Sequence, residues 1–561
     1  MPTRSATTWL RATVLKSVIV RDRASGTAGY RRDVLDHMDV EDEERVAVRK
    51  RAGKRRWVIA GGAAVVGVVV AVGVVLAQSE PQSIAAPRTC HTAMHGTAPS
   101  GTPAKGAKAP AGTAPAADFD GDGHPDLAMG ALGDVENGSA GGSIAVAYGS
   151  GDGTGLARCQ YLTQNDAGIP GEARDEAFFG TDVVARDFDG DGYTDLATAV
   201  FDWKPSVIIM WGSPDGLRSS VRVPGTDGSH VSWALDPILE EQLVAGDFDG
   251  DGHADLVFGL GSGKGLLKGP FTRDGAPAGT GPVSAPRRPA TDIDTANYHG
   301  LVAGDLDGDG ADELMAFHHD EPLGTARFEE RWPVSYFHAR RDGLAQPDDI
   351  DLPDAAAGAV GDVDGDGVAD LVLSPRRGRT SHSSVTVVYG SKAGPGKGKR
   401  STTIDRDTPG VPGEEPQDED AAFTSLDAGD VNGDGYADVV AGSPRNEEYA
   451  KTGPEQVLLL LGGPNGPAGE GARVIDAGDI GGKMSPRAGF GTSVRLVDMD
   501  GDHRADLTVA APGDDRIRSS AWLLPGTDQG LSTGGVTRLY GDSFERTGKL
   551  DLYMGGGGIA R

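Results

Sequence analysis

The chain has 561 residues and a formal net charge of −30, with 83 acidic side chains against 53 basic ones. A surface so negative excludes nucleic acid as a partner, because phosphate backbones are bound by positive faces. With 38% apolar residues, 86 glycines and only two cysteines, the composition reads as a folded, turn-rich chain rather than a disulfide scaffold.

Residues 1–56 form a polar segment whose end is basic: Arg49, Lys50, Arg51, Lys54, Arg55 and Arg56 stand just ahead of an uncharged run. That run, WVIAGGAAVVGVVVAVGVVLA at 57–77, would span about 31 Å as a helix, enough for a hydrocarbon core of about 30 Å. The positive-inside rule then puts 1–56 in the cytoplasm and the remainder outside, attached to the membrane through this helix. The alternative is a signal core cleaved after Ala77, with translation starting at Met38 or at a valine near 46–48; signal cores of about 7–15 residues are the rule, so length favours an anchor. Either way the rest is exported, as the outer part of a single-pass membrane protein or as a secreted one. Residues 78–114 are rich in Pro, Ala, Gly and Thr and lack aromatics, which predicts a flexible spacer. Cys90 lies in it and Cys159 beyond it. In an exported chain the two can pair and staple the spacer to the folded part, with two free thiols as the alternative.

From 118 onward one nine-residue loop, Asp-x-Asp-Gly-Asp-Gly-x-x-Asp, recurs seven times and is followed each time by an apolar run. Position 1 is Asp118, Asp187, Asp247, Asp305, Asp362, Asp430 and Asp498. Position 3 is Asp120, Asp189, Asp249, Asp307, Asp364, Asn432 and Asp500. Position 5 is Asp122, Asp191, Asp251, Asp309, Asp366, Asp434 and Asp502. Position 9 is Asp126, Asp195, Asp255, Glu313, Asp370, Asp438 and Asp506. Starts are spaced by 69, 60, 58, 57, 68 and 68 residues, a period that marks a repeat architecture and suits the blades of a propeller.

Alternating carboxylates in a tight, glycine-bearing loop gather hard oxygen ligands around one point, which is what Ca²⁺ requires. Up to seven such ions are expected. Mg²⁺ fits less well because it keeps its waters, and Zn²⁺ or copper would want nitrogen or sulfur ligands that the loops lack. Position 7 is His124, Tyr193, His253, Ala311, Val368, Tyr436 and Arg504, a variety compatible only with a ligand role for its backbone carbonyl. An EF-hand would need a Glu at position 12 and flanking helices, but that position is Met129, Thr198, Phe258, Ala316, Leu373, Ala441 and Val509, inside runs that read as strands. Two departures stand out. Asn432 removes a charge from the sixth loop, and His503 replaces the second glycine of the seventh, predicting strain or a weaker site.

A short apolar strand leads into most loops, as in LVAGD at 243–247 and 301–305. A further strand ending in a Gly-rich turn follows 22–34 residues past the loop start, as in VIIMWGSPDGL at 207–217 and VLLLLGGPNG at 457–466. Each unit therefore reads as strand, loop, strand, strand, Gly turn and a fourth strand, one antiparallel blade. The first unit lacks its leading strand. The tail SFERTGKLDLYM at 543–554 is expected to supply it by pairing with the strand that holds Leu127 and Met129, leaving 555–561 as a loose end.

These marks resemble the FG-GAP repeat of integrin α-subunit propellers and their bacterial relatives, over roughly 115–554. Phe179-Gly180 and Phe490-Gly491 stand in the FG position, and Ala441-Gly442-Ser443-Pro444 and Ala510-Ala511-Pro512 in the GAP position. Loops three, four and five keep the metal motif without clear FG or GAP signatures. The resemblance implies an all-β, seven-bladed β-propeller with structural calcium on one face and ligand-binding loops on the other. Nothing matches integrin leg domains or a cytoplasmic tail.

Enzyme motifs are fragmentary. Gly541-Asp542-Ser543 has too little chain after it for partner residues, Gly261-Ser262-Gly263-Lys264-Gly265 lacks the remaining phosphate-loop residues, and His318-His319-Asp320 reads as a solvated loop. The expected role is a calcium-binding adhesion module for a glycan, a matrix component or another protein ligand. A surface or secreted hydrolase or lyase acting on lipid or polysaccharide, and a structural self-assembly module, are the alternatives.

Overall fold

The computed structural model describes residues 83–90, 93–95 and, between 117 and 560, all but 133–140, 150–155, 157, 175–176, 201–205, 225, 227–242, 259–264, 285–296, 320–331, 348–349, 377–382, 414–422, 444–454, 482–488, 512–519, 541–543 and 545–552. The expected membrane segment 57–77, the basic run before it and the fragments at 541–543 and 261–264 lie outside the described residues. Among those described, no helix is long and apolar enough to cross a membrane.

Two short strands come first, β1 (Arg88–Thr89) and β2 (Ala93–His95). Blade one holds β3 (Leu127–Leu132), β4 (Ser143–Tyr148) and β5 (Arg158–Leu162), and blade two β6 (Val183–Arg186), β7 (Asp195–Val200), β8 (Ser206–Trp211) and β9 (Ser219–Arg222). Blade three is β10 (Leu243–Gly246), β11 (Asp255–Phe258), β12 (Leu266–Lys268) and β13 (Gly279–Gly281); blade four is β14 (Asn297–Gly304), β15 (Glu313–His319) and β16 (Val334–Phe337). Blade five is β17 (Ala355–Gly361), β18 (Asp370–Pro375), β19 (Ser384–Val388) and β20 (Thr402–Asp405). Blade six is β21 (Ser425–Gly429), β22 (Asp438–Ser443), β23 (Gln456–Leu460) and β24 (Arg473–Asp476). Blade seven is β25 (Ser493–Val497), β26 (Asp506–Ala511), β27 (Ser520–Leu524) and β28 (Val536–Tyr540), after which comes β29 (Tyr553–Ile559).

These strands make seven antiparallel sheets in meander order. The middle strands are apolar without period-two alternation, because each sheet is packed on both faces by its neighbours: every residue of β8, SVIIMW, and of β23, QVLLL, is buried. The hydrophobic core accordingly divides into seven clusters, each shared by two adjacent blades. Ile144, Val146 and Ile208 belong to the cluster between blades one and two, and Leu459, Leu507 and Trp522 to that between six and seven. The seventh cluster joins Met129 and Ala145 of blade one to Ala521 and Leu539 of blade seven, so the ring is closed. It is a seven-bladed β-propeller.

Closure involves both ends of the described chain. β29 pairs with β3 (Met554↔Ala131, Ile559↔Met129) and contacts β25 and β6, taking the place of the missing first strand of blade one. The strand runs through the four glycines at 555–558 to Ile559. The expected boundary at 554, with 555–561 as a loose end, is therefore corrected: Gly has no side chain to exclude it from a crowded centre, and Ala560 still donates its N–H to Ala128 O at 2.9 Å. At the outer edge β1 pairs with β5 and β2 with β28, adding a fifth strand to blades one and seven. The stretch expected to be spacer thus holds two strands flanking the junction. The edges of β5 and β28 offer unpaired backbone groups that even Pro-rich sequence can satisfy with two or three residues. Cys90 and Cys159 form a disulfide with Cα atoms 5.1 Å apart, fastening this segment to blade one.

Candidate metal centres

Each acidic loop joins the first strand of a blade to the second. In blade one, where β29 supplies the first strand, the loop runs directly into β3. The fold of the loop follows from its carboxylates. Position 1 accepts the position-6 N–H, as Gly123 N to Asp118 Oδ2 at 3.0 Å and Gly310 N to Asp305 Oδ2 at 3.0 Å. Position 5 accepts the position-7 N–H in every copy, at 2.9–3.1 Å. These Asx-type turns curl the chain so that side-chain oxygens face inward. Position 6 has a positive φ throughout, and the seventh loop keeps it with a non-glycine residue: His503 has φ 69°, and its N–H still reaches Asp498 Oδ2 at 2.8 Å. At the six glycine copies an added Cβ would meet nothing within 4 Å, so only backbone strain opposes a side chain there.

Position 9 is buried in all seven loops. One of its oxygens accepts the position-2 N–H at 2.7–3.0 Å. In six blades the other accepts a glycine N–H just past the third strand, at 2.8–2.9 Å, from Gly149, Gly212, Gly269, Gly390, Gly462 and Gly526. This side chain therefore ties loop, second strand and third strand together. Burial, opposed only in part by those N–H groups, pushes the carboxyls of Asp126, Asp195 and Asp438 up to about 8 and those of Asp255 and Asp370 to about 7. Glu313 is likewise raised to about 8, and Asp506 well above the ordinary carboxylate range. Neighbouring carboxylates add to the effect. A cation in the cage would offset that cost.

The donor set fits a hard divalent cation. Ligand oxygens of Asp118, Asp120 and Asp122 lie within 4.8 Å of one another, as do those of Asp187, Asp189 and Asp195, of Asp247, Asp249 and Asp251, and of Asp305, Asp307 and Asp309. Asp249 Oδ1 is buried without a hydrogen-bond partner. In such a site the carboxylates at positions 1, 3, 5 and 9 would hold the ion. It would supply charge neutralisation and a crosslink between the first two strands.

The loops are linked to each other around one end of the ring. Thr194 N donates to Asp118 O at 2.9 Å, Phe271 N to Phe188 O at 2.7 Å, Asp312 N to Asp247 O at 2.7 Å and Ser391 N to Leu306 O at 3.1 Å. Ala437 N donates to Asp362 O at 2.8 Å and Ala505 N to Asp430 O at 2.7 Å, so the contacts run from loop one to loop seven, by way of the turns after the third strands of blades three and five at Phe271 and Ser391.

Comparison with known proteins fits this architecture. The family model described as FG-GAP repeat matches residues 422–458 and 490–533, and that described as FG-GAP-like repeat matches 187–258. Integrin alpha-PS2 of Drosophila melanogaster is 30% identical over 233 residues, 39% of this chain and 15% of that protein. The chain thus carries FG-GAP and FG-GAP-like repeats within its β-propeller, and over them it is similar to integrin α-subunits. Integrin alpha-4 of Xenopus laevis is 27% identical over 118 residues, 21% of this chain and 11% of its own length, so this chain spans a small fraction of either relative. A solved structure described as "Structure of Dos1 propeller" aligns at 12% identity with a TM-score of 0.34, covering 76% of this chain and 95% of that one. A likeness that low leaves the blade count to the sheets themselves.

The FG and GAP residues of this propeller have a packing role. Phe490 is buried edge-on to Trp522, with ring centroids 5.7 Å apart, and a Cβ on Gly442 would come within 2.1 Å of Gly491 O. One blade's FG turn thus needs the glycine of the preceding blade.

Two features of the loops escaped sequence reasoning. Position 7 has a side-chain role after all, lying over the first glycine of the preceding loop. A Cβ on Gly121 would meet the Tyr193 ring at 2.4 Å, one on Gly365 the Tyr436 ring at 2.6 Å, and one on Gly308 the Val368 side chain at 3.3 Å. Arg504 instead donates to Asn432 O at 3.3 Å. The contact tolerates many side chains because its partner is a glycine. The second feature is a cation at position 3. Arg158 pairs with Asp120 and Arg273 with Asp189, while Lys268 and Lys399 reach Asp249 and Asp364, each at 2.8 Å. Three of these cations also lie over the aromatic residue that closes the third strand: Arg158 over Tyr148, Arg273 over Trp211 and Lys399 over Tyr389, at 5.1, 5.2 and 3.8 Å from the centroids. The aromatic before glycine in AVAYG, IIMWG and TVVYG was the signal. In loop six, where Asn432 is neutral, its amide donates to Asp434 at 2.9 Å instead.

Proposed function

We propose that this propeller is a calcium-stabilised binding module displayed outside the cell, with its metal loops on one end of the ring and its ligand surface on the other. The observation that carries the reading is the sevenfold recurrence of one acidic loop, each copy with a buried position-9 acid that calls for a countercharge. Calcium at these loops would set the angle between the first two strands of every blade. The antiparallel order places the strand ends leading to 133–140, 320–331 and 444–454 opposite the loops. Those connections differ in length and composition, as a surface selected for a partner would. The integrin-type resemblance implies a protein ligand, and a matrix component or glycan is the related possibility. Export is supported by the basic-then-apolar stretch up to Ala77 and by the Cys90–Cys159 disulfide, which belongs to an oxidising compartment.

The test is binding of the protein to an array of glycans and matrix proteins, in millimolar calcium and in chelator. A calcium-dependent hit that disappears when 320–331 or 444–454 is replaced by Gly-Ser, with thermal stability unchanged, is the expected result. Ligand binding that survives both replacements and instead needs the carboxylates of the loop end would overturn the assignment of faces.

A further inference from the structure

Loop four departs from the other six in three linked ways. Its position-9 residue is Glu313 rather than Asp. The residue donating to that acid's second oxygen is Ala339 rather than Gly, and the contact is stretched to 3.4 Å against 2.8–2.9 Å elsewhere. The residue just before it, His338, occupies the place held by Tyr148, Trp211, Lys268, Tyr389, Leu461 and Pro525 in the other blades. Its backbone is fixed by reciprocal hydrogen bonds with Ala345, N to O at 2.9 Å and back at 3.1 Å. That anchoring aims the ring into the loop, where Nδ1 lies 3.3 Å from Glu313 Oε1 and 3.4 Å from Asp307 Oδ2.

We propose that loop four is a transition-metal site, taking a Zn²⁺-class divalent cation through His338 Nδ1, Glu313 Oε1 and Asp307 Oδ2. The proposal rests on the reading of the loops as metal sites and gives this one a different selectivity. The expectation from sequence that nitrogen ligands are missing holds for the nine-residue motif but fails here, because the imidazole arrives from the third strand, 25 residues past the acid it faces. Both separations exceed the roughly 2.7–2.9 Å of a good charge-assisted hydrogen bond. They match the edge of about 3.3 Å in a tetrahedron whose metal–ligand bonds are about 2.05 Å. Imidazole with carboxylates suits zinc and its neighbours, whereas Ca²⁺ gains nothing from a nitrogen ligand. The extra methylene of Glu313 lets Oε1 leave its backbone partner, and the His338 side chain, 32% exposed, leaves a path for an ion to enter. Asp305 and Asp309 stand by in the same loop to complete the coordination.

The experiment is equilibrium dialysis of the full-length protein against micromolar Zn²⁺ in millimolar Ca²⁺, with metal content measured on wild type, His338→Gln and Asp307→Asn. One zinc per chain retained against calcium, with affinity at least about tenfold weaker in both variants, is expected. Zinc displaced by calcium, or held equally by all three proteins, would overturn the proposal and leave His338 as a hydrogen-bonding partner of Glu313. Circular-dichroism melts show whether each variant is folded; if one is not, the other decides. The calcium-induced melting shift of the wild-type protein is read separately. Its absence alongside His338-dependent zinc binding would defeat the calcium reading and leave this one standing, and its presence without such zinc binding would do the reverse.

Discussion

In the first five loops the two glycines do different work. Position 6 is a matter of backbone conformation alone, since a side chain there meets open space, whereas position 4 is also a contact surface for the next loop's position-7 residue. His503, at φ 69°, bears a left-handed backbone that costs an L-residue on the order of 1 kcal/mol. His503→Gly should therefore stabilise the protein by about 0.5–1 kcal/mol in urea unfolding with calcium present. Gly121→Ala should destabilise it by more than Gly123→Ala, because only the former collides with the Tyr193 ring. Equal losses at 121 and 123 would refute the contact. The cations at position 3 make a second residue-scale prediction. Lys268, with its side chain 15% exposed, neutralises Asp249 when no metal is present but must yield that carboxylate to a metal. Lys268→Ala is thus expected to lower the melting temperature in chelator and to tighten calcium binding several-fold, as measured by titration calorimetry. Weaker calcium binding would show that the lysine supports the site rather than competing with the ion.

At the scale of strands, closure is the point where sequence reading came close and then stopped short. The loops and the strands after them were legible because each carries an apolar run next to invariant chemistry, and the tail's return was legible because blade one lacked a leading strand. The position of the return was not: GGGG carries no side-chain pattern, so the strand at 553–559 was placed ten residues early at its start and five short at its end. β1 and β2 were hidden for the related reason that two- and three-residue strands on a blade edge need no apolar signature. His338 was invisible as a ligand because its partners lie in another element. Deletion of 556–561 removes Ile559, paired with Met129, and the Ala560 N–H donated to Ala128. It should lower the melting temperature, and deletion of 553–561 should lower it further and cause aggregation as β3 loses its inner partner. Size-exclusion chromatography with thermal melts decides; a 556–561 deletion indistinguishable from wild type would place the end of the functional strand at 555.

Over the whole molecule, metal and ring act on the same quantity. Seven inter-blade cores close the ring, and backbone hydrogen bonds running from loop one to loop seven tie neighbouring blades at one end, so the propeller should unfold in a single transition. Without cations the acidic cages add to the self-repulsion of a chain at −30, and this end is where the repulsion concentrates. Extracellular calcium modules bind with dissociation constants of roughly 0.1–1 mM. At millimolar calcium, linkage then gives about 0.4–1.4 kcal/mol per site, and several kcal/mol when summed over the oxygen-only loops. Scanning calorimetry from chelator to several millimolar calcium should show one peak moving steadily upward. Asp364→Ala should remove only about one site's share of that shift, because its cage is one of several bearing on the same closed ring. A melting temperature indifferent to calcium would sink this reading of the loops. An upward shift abolished entirely by the single substitution would mean that one dominant site, rather than a distributed belt, holds the propeller together.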